Sequence, residues 1–332
     1  MSRHGVKIDI GVDGAFTTRR WEEPDSYLGL VRELGYEHFE FCADNLDPFF
    51  SGDREFQLAE AAAIKEAAQR HRVHITNVYT GMATHRFHGL SHRHPAARRR
   101  MREWIENAMD IALAMGTDSI GGHWDAYSIE TMADPARLEE RYQDVLAQFR
   151  SLAVTAKKKG MRALYVEQMY IPSEKPWTLK ETEDMLLALN KDREGVPIYV
   201  TVDVGHQAGM HYGLSGPDLD YVEWVREFGA ASEIIHLQQT TPESSAHWPF
   251  TGDYNEQGHV RIPEVLEALE ESHRRYEEHS YASYLPQVEN QFLILEVIPG
   301  STITEDVLLA GLRESAGYLR QFVPEGGLTF QT

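Results

Sequence analysis

The residues best suited to chemistry stand at the ends of short apolar runs. Tyr199-Val200-Thr201-Val202 runs into Asp203, and Val204-Gly205-His206 follows. So dense a β-branched run reads as a buried strand, and an Asp at its tip with a His three residues on is poorly explained by folding alone. Three other runs stop in the same way. Met161 to Val166 ends at Glu167, Glu233 to Ile235 at His236, and Phe292 to Leu295 at Glu296. Any one of these could be a satisfied polar group at a strand end. Four of them, one per successive strand, form a ligand set of carboxylate oxygens plus one imidazole. That set suits a divalent ion such as Mn, Mg, Co or Zn, and the lone Cys42 offers no thiolate set.

Positioning four strand ends at one point requires a particular scaffold. Short apolar runs alternate with helical patterns along the whole chain. The expected strands are Val6–Val12, His38–Cys42, Val73–Val78, Ser119–Gly122, Met161–Glu167, Ile198–Asp203, Glu233–Leu237 and Gln291–Val297. The expected helices are about 26–34, an Ala-rich segment through Arg70, 95–115, 135–159, one from near Thr178, 218–228, 263–275 and 304–322. Asp134-Pro135 reads as an N-cap with Pro at the first helical position, and Thr178 with Glu181 as a capping box. Eight β-then-α units with no composition break predict an α/β fold, a single (β/α)8 TIM barrel in one domain over 1–332, with a small insertion at about 276–290. Continuous apolar strands are what a parallel sheet buried on both faces needs. In such a barrel the active site lies at the C-terminal strand ends, where Glu167, Asp203, His236 and Glu296 all fall.

In this arrangement Tyr165-Val166-Glu167, Val202-Asp203-Val204-Gly205-His206, Ile235-His236-Leu237-Gln238 and Ile294-Leu295-Glu296 resemble the metal-site strand ends of the xylose-isomerase-like superfamily. The resemblance spans the whole barrel and is specific for the metal site, not the substrate. Its ketose 3-epimerase branch implies that Glu167 and Glu296 both hold the metal and act as the acid/base pair. Asp203 and His236 would be ligands only, and His206 would contact a substrate oxygen. After the seventh-strand ligand the family pattern continues to an acidic residue, whereas this chain reads His236-Leu237-Gln238-Gln239. Because side chains alternate in a strand, Gln238 faces the same side as His236, and some relatives use Gln as the ligand. The reading prefers His236 and keeps Gln238 as the alternative.

The chemistry expected is proton abstraction next to a ketone. Binding the carbonyl and the neighbouring hydroxyl to a dication stabilises an enediolate, and two carboxylates on opposite faces could remove and return the proton. Return to the same carbon is epimerisation, and return to the next carbon is isomerisation. The function expected is therefore a metal-dependent isomerase or epimerase of a small ketose or ketose phosphate. A decarboxylase or dehydratase of a 3-oxo sugar acid or inosose is the alternative on the same scaffold. A sensor without catalysis would not need both glutamates.

Other residues are candidates for the substrate side. His123 follows Gly121-Gly122, where the backbone can approach a ligand closely. His247 lies in the long loop after strand 7, where relatives place a pocket histidine. Glu40 ends strand 2 and could bond a sugar hydroxyl, or form a structural ion pair. Arg86, in the cationic loop Thr84–His94, could grip a phosphate or carboxylate, though a solvated loop explains it equally.

The 332 residues carry a net charge of -20, which opposes binding to a nucleic-acid backbone and, with it, an endonuclease. One cysteine fits a reducing compartment. No stretch has the length of a signal peptide core or of a membrane span, so a cytoplasmic protein without membrane partners is expected. The resemblance also implies a homo-oligomer.

Overall fold

Runs of β-branched and aromatic residues that stop at Asp, Glu or Gly become the inner layer of the fold. In the computed structural model, which describes residues 5–331, eight parallel strands close on themselves: β1 Gly5–Asp13, β2 His38–Cys42, β3 His74–Tyr79, β4 Ser119–Gly121, β5 Ala163–Glu167, β6 Ile198–Asp203, β7 Ile234–Leu237 and β8 Asn290–Leu295. Neighbours follow chain order. Closure comes from β1, which pairs with β8 over Lys7–Val12 and with β2 over Gly11–Asp13. The chain therefore folds as a (β/α)8 TIM barrel.

Among the described residues, eight helices of eight or more residues wrap the barrel: α1 Pro24–Glu33, α2 Arg54–His71, α3 Pro95–Met115, α4 Pro135–Lys159, α5 Leu179–Asn190, α6 Tyr221–Phe228, α7 Ile262–Arg274 and α8 Glu305–Leu319. Local chemistry sets their ends. Asp134 accepts the Arg137 N–H and fixes the start of α4, and Gly160, at φ 96°, ends it. Thr178 accepts the Glu181 N–H, but the return bond of the expected capping box goes to the Trp177 N–H instead. Helix α6 starts three residues later than expected. Gly216–Leu219 turns as a 3-10 segment, and Asp220 caps the α-helix by accepting the Val222 N–H. Between α7 and β8, Tyr281, Leu285 and Val288 are buried, and the Tyr281 hydroxyl donates to the Glu227 carbonyl.

One strand went unforeseen. β9, Leu328–Gln331, runs antiparallel to Gly5–Ile8 of β1. The stagger of a closed barrel brings β2 alongside only the second half of β1, which leaves the first half with an open edge. The C-terminal strand covers that edge.

Candidate metal centre

The strand ends meet at the C-terminal mouth. Glu167, Asp203, His236 and Glu296 each bring one ligand atom within 4.8 Å of the others. Glu167 and Asp203 are the last residues of β5 and β6, His236 lies within β7, and Glu296 directly follows β8. The imidazole of His236 is fully buried with its Nδ1 facing the cluster, 3.1 Å from Glu167 Oε1 and 3.4 Å from Glu296 Oε2. On its far side Nε2 lies 2.8 Å from Glu40 Oε1. A proton on Nε2 donated to Glu40 leaves the Nδ1 lone pair turned to the cluster, the arrangement by which an outer carboxylate orients a metal-ligating histidine.

The electrostatics fit a cation. Asp13, Glu40, Glu167, Asp203 and Glu296 crowd this end of the barrel, and among the described residues the ion pairs to the last four are all with histidines. Burial pushes the carboxyls of Asp13, Glu40 and Asp203 up, and neighbouring carboxylates add to it. Burial alone would lower the His236 imidazole, yet Glu40 and Glu296 outweigh it and hold it well above its usual value. Glu296 is the opposite case. Against burial, His247 and His236 hold its carboxyl below the usual range. Its Oε2 lies 3.2 Å from His247 Nδ1, and neither of these buried atoms makes an aligned hydrogen bond. A surplus of buried carboxylates with an orphaned oxygen aimed into the cluster is what a divalent ion would satisfy, so the donor set fits one.

The substrate-side candidates separate into two groups. His206, His247 and His123 stand around the cluster. The His206 Nδ1–H donates to the Gln168 carbonyl at 2.7 Å, and Nε2 faces Asp203 Oδ2 at 3.5 Å. Against burial, Glu296 above all raises His247 to about 9. The His123 ring is buried, its Nε2 is without a hydrogen-bond partner, and it stacks on His85 at 5.4 Å between centroids.

For Glu40 the ion-pair alternative matches the structure, and Arg86 stands apart from the cluster. Glu40 is wholly buried with both oxygens occupied, Oε1 by His236 and Oε2 by the Asn77 amide at 2.7 Å, so it has no oxygen free for a sugar hydroxyl. Arg86 is exposed on the rim, outside the ligand cluster. Gln238, the alternative ligand, uses its amide N–H groups on Asp203, with 3.0 Å to each oxygen, while its carbonyl accepts the His247 N–H at 2.7 Å.

Sequence reasoning missed two residues here. Asp13 ends β1, and the strand-end rule that found Glu40 would have found it. Glu174 lies in a loop without local signal, 3.9 Å from His123 Nε2; burial and then Glu167, against His206, push it up to about 7.

Comparison with known proteins identifies the family and the fold. The family described as xylose isomerase-like TIM barrel matches residues 28–278. The D-erythrulose 1-phosphate 3-epimerase of Brucella abortus (strain 2308) is 25% identical over 253 residues, covering 76% of this chain and 80% of that protein. A solved protein of Rhodospirillum rubrum, named provisionally as a xylose isomerase, superposes with a TM-score of 0.82 at 24% identity over 96% of this chain and all of the other. The D-psicose 3-epimerase of Clostridium cellulolyticum H10 does so with a TM-score of 0.63 at 17% identity, over 95% of this chain and 98% of the other.

Proposed function

The chain belongs to the xylose isomerase-like TIM barrel family, and on that premise we propose that it is a metal-dependent 3-epimerase of a small ketose. One observation carries the reading: two glutamates, Glu167 and Glu296, flank Asp203 and His236 inside a single 4.8 Å cluster. The similarity to D-erythrulose 1-phosphate 3-epimerase supports the ketose class. We read the 332 residues as one domain, supported by a single apolar core that includes Val6 and Phe330.

Glu167, Asp203, His236 and Glu296 would hold the ion, which supplies a Lewis acid that makes the C–H beside a ketone acidic enough for a carboxylate to remove. Glu40 fixes the His236 tautomer, and Gln238 holds both oxygens of Asp203, which supports His236 rather than Gln238 as the seventh-strand ligand. Glu296, whose carboxyl His247 above all keeps ionised, would accept the proton, and Glu167, in the same cluster, would return one. Removal from one face and return on the other inverts the carbon. His206, anchored through Nδ1 to the Gln168 carbonyl, presents Nε2 to a substrate oxygen. His123, with its free Nε2, and Glu174 beside it are placed to position hydroxyl groups.

The test is proton–deuterium exchange by NMR. Protein loaded with Mn, Mg, Co or Zn is incubated in D2O with tetruloses, pentuloses and their phosphates. Deuterium is expected at C3 and disappears when chelator strips the ion. Release of water in place of an epimer, carbon dioxide from 3-oxo sugar acids added to the panel, or no exchange across the panel, overturns the assignment.

A further inference from the structure

Loops beyond the C-terminal strand ends enclose a cavity of about 870 Å³. Its floor includes Ala15, Cys42 and Ile298, each two residues beyond Asp13, Glu40 and Glu296. The cavity lies between the loops that follow β1, β2, β3 and β8, at the same end of the barrel as the ligand cluster and on the side away from β5 and β6.

Its charges differ from the rest of the molecule. Arg19, Arg20 and Arg86 line it, against the carboxylates of Asp44 and Glu305, in a chain of net charge -20. Arg20 is committed: it bonds Glu305 and donates to the carbonyls of Gly300 and Ile303. Asp44 is also engaged, accepting the Ala83 N–H. Arg19 and Arg86 are exposed, and among the described residues neither guanidinium has a carboxylate or hydrogen-bond partner. Arg19 is held at φ 62°, a left-handed conformation uncommon for a side chain of this kind. Ser301 adds a hydroxyl to the wall, and the loop after the eighth strand is where barrels of this class commonly hold a phosphate. Phe50, Met82 and Phe87, all exposed, flank the opening.

We infer that this cavity is a phosphate subsite: Arg19 and Arg86 take the phosphate group of a phosphorylated ketose whose carbonyl end reaches the metal ligands. The inference rests on the epimerase reading for the sugar end and on the cavity alone for the anion end. Two free guanidiniums match a dianion better than a single carboxylate. It gives Arg86 the anion-gripping part, with Arg19 as the partner that the sequence did not reveal.

The test uses the full-length protein, Arg86→Ala, Arg19→Gly (glycine takes the left-handed conformation without strain), the double variant, and Arg99→Ala on the exposed side of α3 as a control. Calorimetric titration with inorganic phosphate reads the subsite without turnover. Wild type and R99A are expected to bind phosphate, and the double variant at least 10-fold more weakly. Exchange at C3 is then compared for D-erythrulose 1-phosphate and free D-erythrulose. The double variant is expected to lose on the order of 100-fold in kcat/KM for the ester and to leave the free ketose unchanged. Equal phosphate binding by wild type and double variant, equal losses on ester and free sugar, or tighter binding of a sugar acid than of phosphate each overturns the subsite. If phosphate binding follows the arginines but no ketose exchanges its proton, the subsite stands and the epimerase reading falls.

Discussion

Glu40 shows how much of this site depends on a residue that no substrate would touch. It sits under His236, saturated by that imidazole and by Asn77. Glu40→Gln keeps the shape but removes the negative charge that orients and polarises the ring. It is expected to weaken Mn binding about 10- to 100-fold, read by titration of the paramagnetic ion, with an unchanged far-UV spectrum. Loss of fold instead would make Glu40 a stability residue. Glu296→Gln belongs at the same scale. The variant is expected to remain folded and to lose roughly 1000-fold in turnover, because an amide cannot take up the proton. Retention of wild-type C3 exchange would remove Glu296 from the acid/base pair.

At the scale of elements, turns and helices hold these side chains in register. Gly122, directly after β4, has φ 131°, and a Cβ there would meet Thr80 Oγ1 at 1.8 Å. That hydroxyl accepts the His123 N–H. Gly122→Ala is therefore expected to cost about 2–4 kcal/mol of stability and to displace His123, both visible in a urea melt and in the rate of C3 exchange. On α7, His273 is packed neutral between Gln291 of β8 and Gln287, one ring nitrogen to each. Burial lowers it to about 4, and likewise His38 on β2. The unfolded chain, whose histidines titrate near 6.5, binds more protons than the native state between those values. Stability is full above about pH 6.5 and falls as pH drops towards 4, by about 1–3 kcal/mol per group. Melts at pH 7, 6 and 5 check this, and His273→Gln should flatten the profile.

For the molecule as a whole, the closed barrel separates stability from chemistry. β9 covers the open edge of β1 at the end opposite the ligand cluster. Removing the chain from Leu328 onward is expected to lower Tm by roughly 2–6 °C and leave turnover per folded molecule unchanged. A proportionate loss of turnover would mean that the two ends are coupled. Among the described residues no helix is long and apolar enough to cross a membrane. In a chain of net charge -20, Arg19 and Arg86, unpaired among the described residues, are a local concentration of positive charge.

The sequence by itself determined the alternation of strands and helices, most of their limits, and the strand ends that carry Glu167, Asp203, His236 and Glu296. These are local properties: β-branched runs, caps such as Asp134, and glycines such as Gly160 act within a few residues. Tertiary structure decided what each group faces. Glu40 meets His236 from 196 positions away, Gln238 serves Asp203, Glu174 arrives beside His123, and β9 finds β1 across the whole chain. Arg19 and Arg86, from loops after different strands, share one cavity. Such meetings follow from the stagger and closure of the barrel, which set the distances between strands far apart in sequence. No local periodicity encodes them.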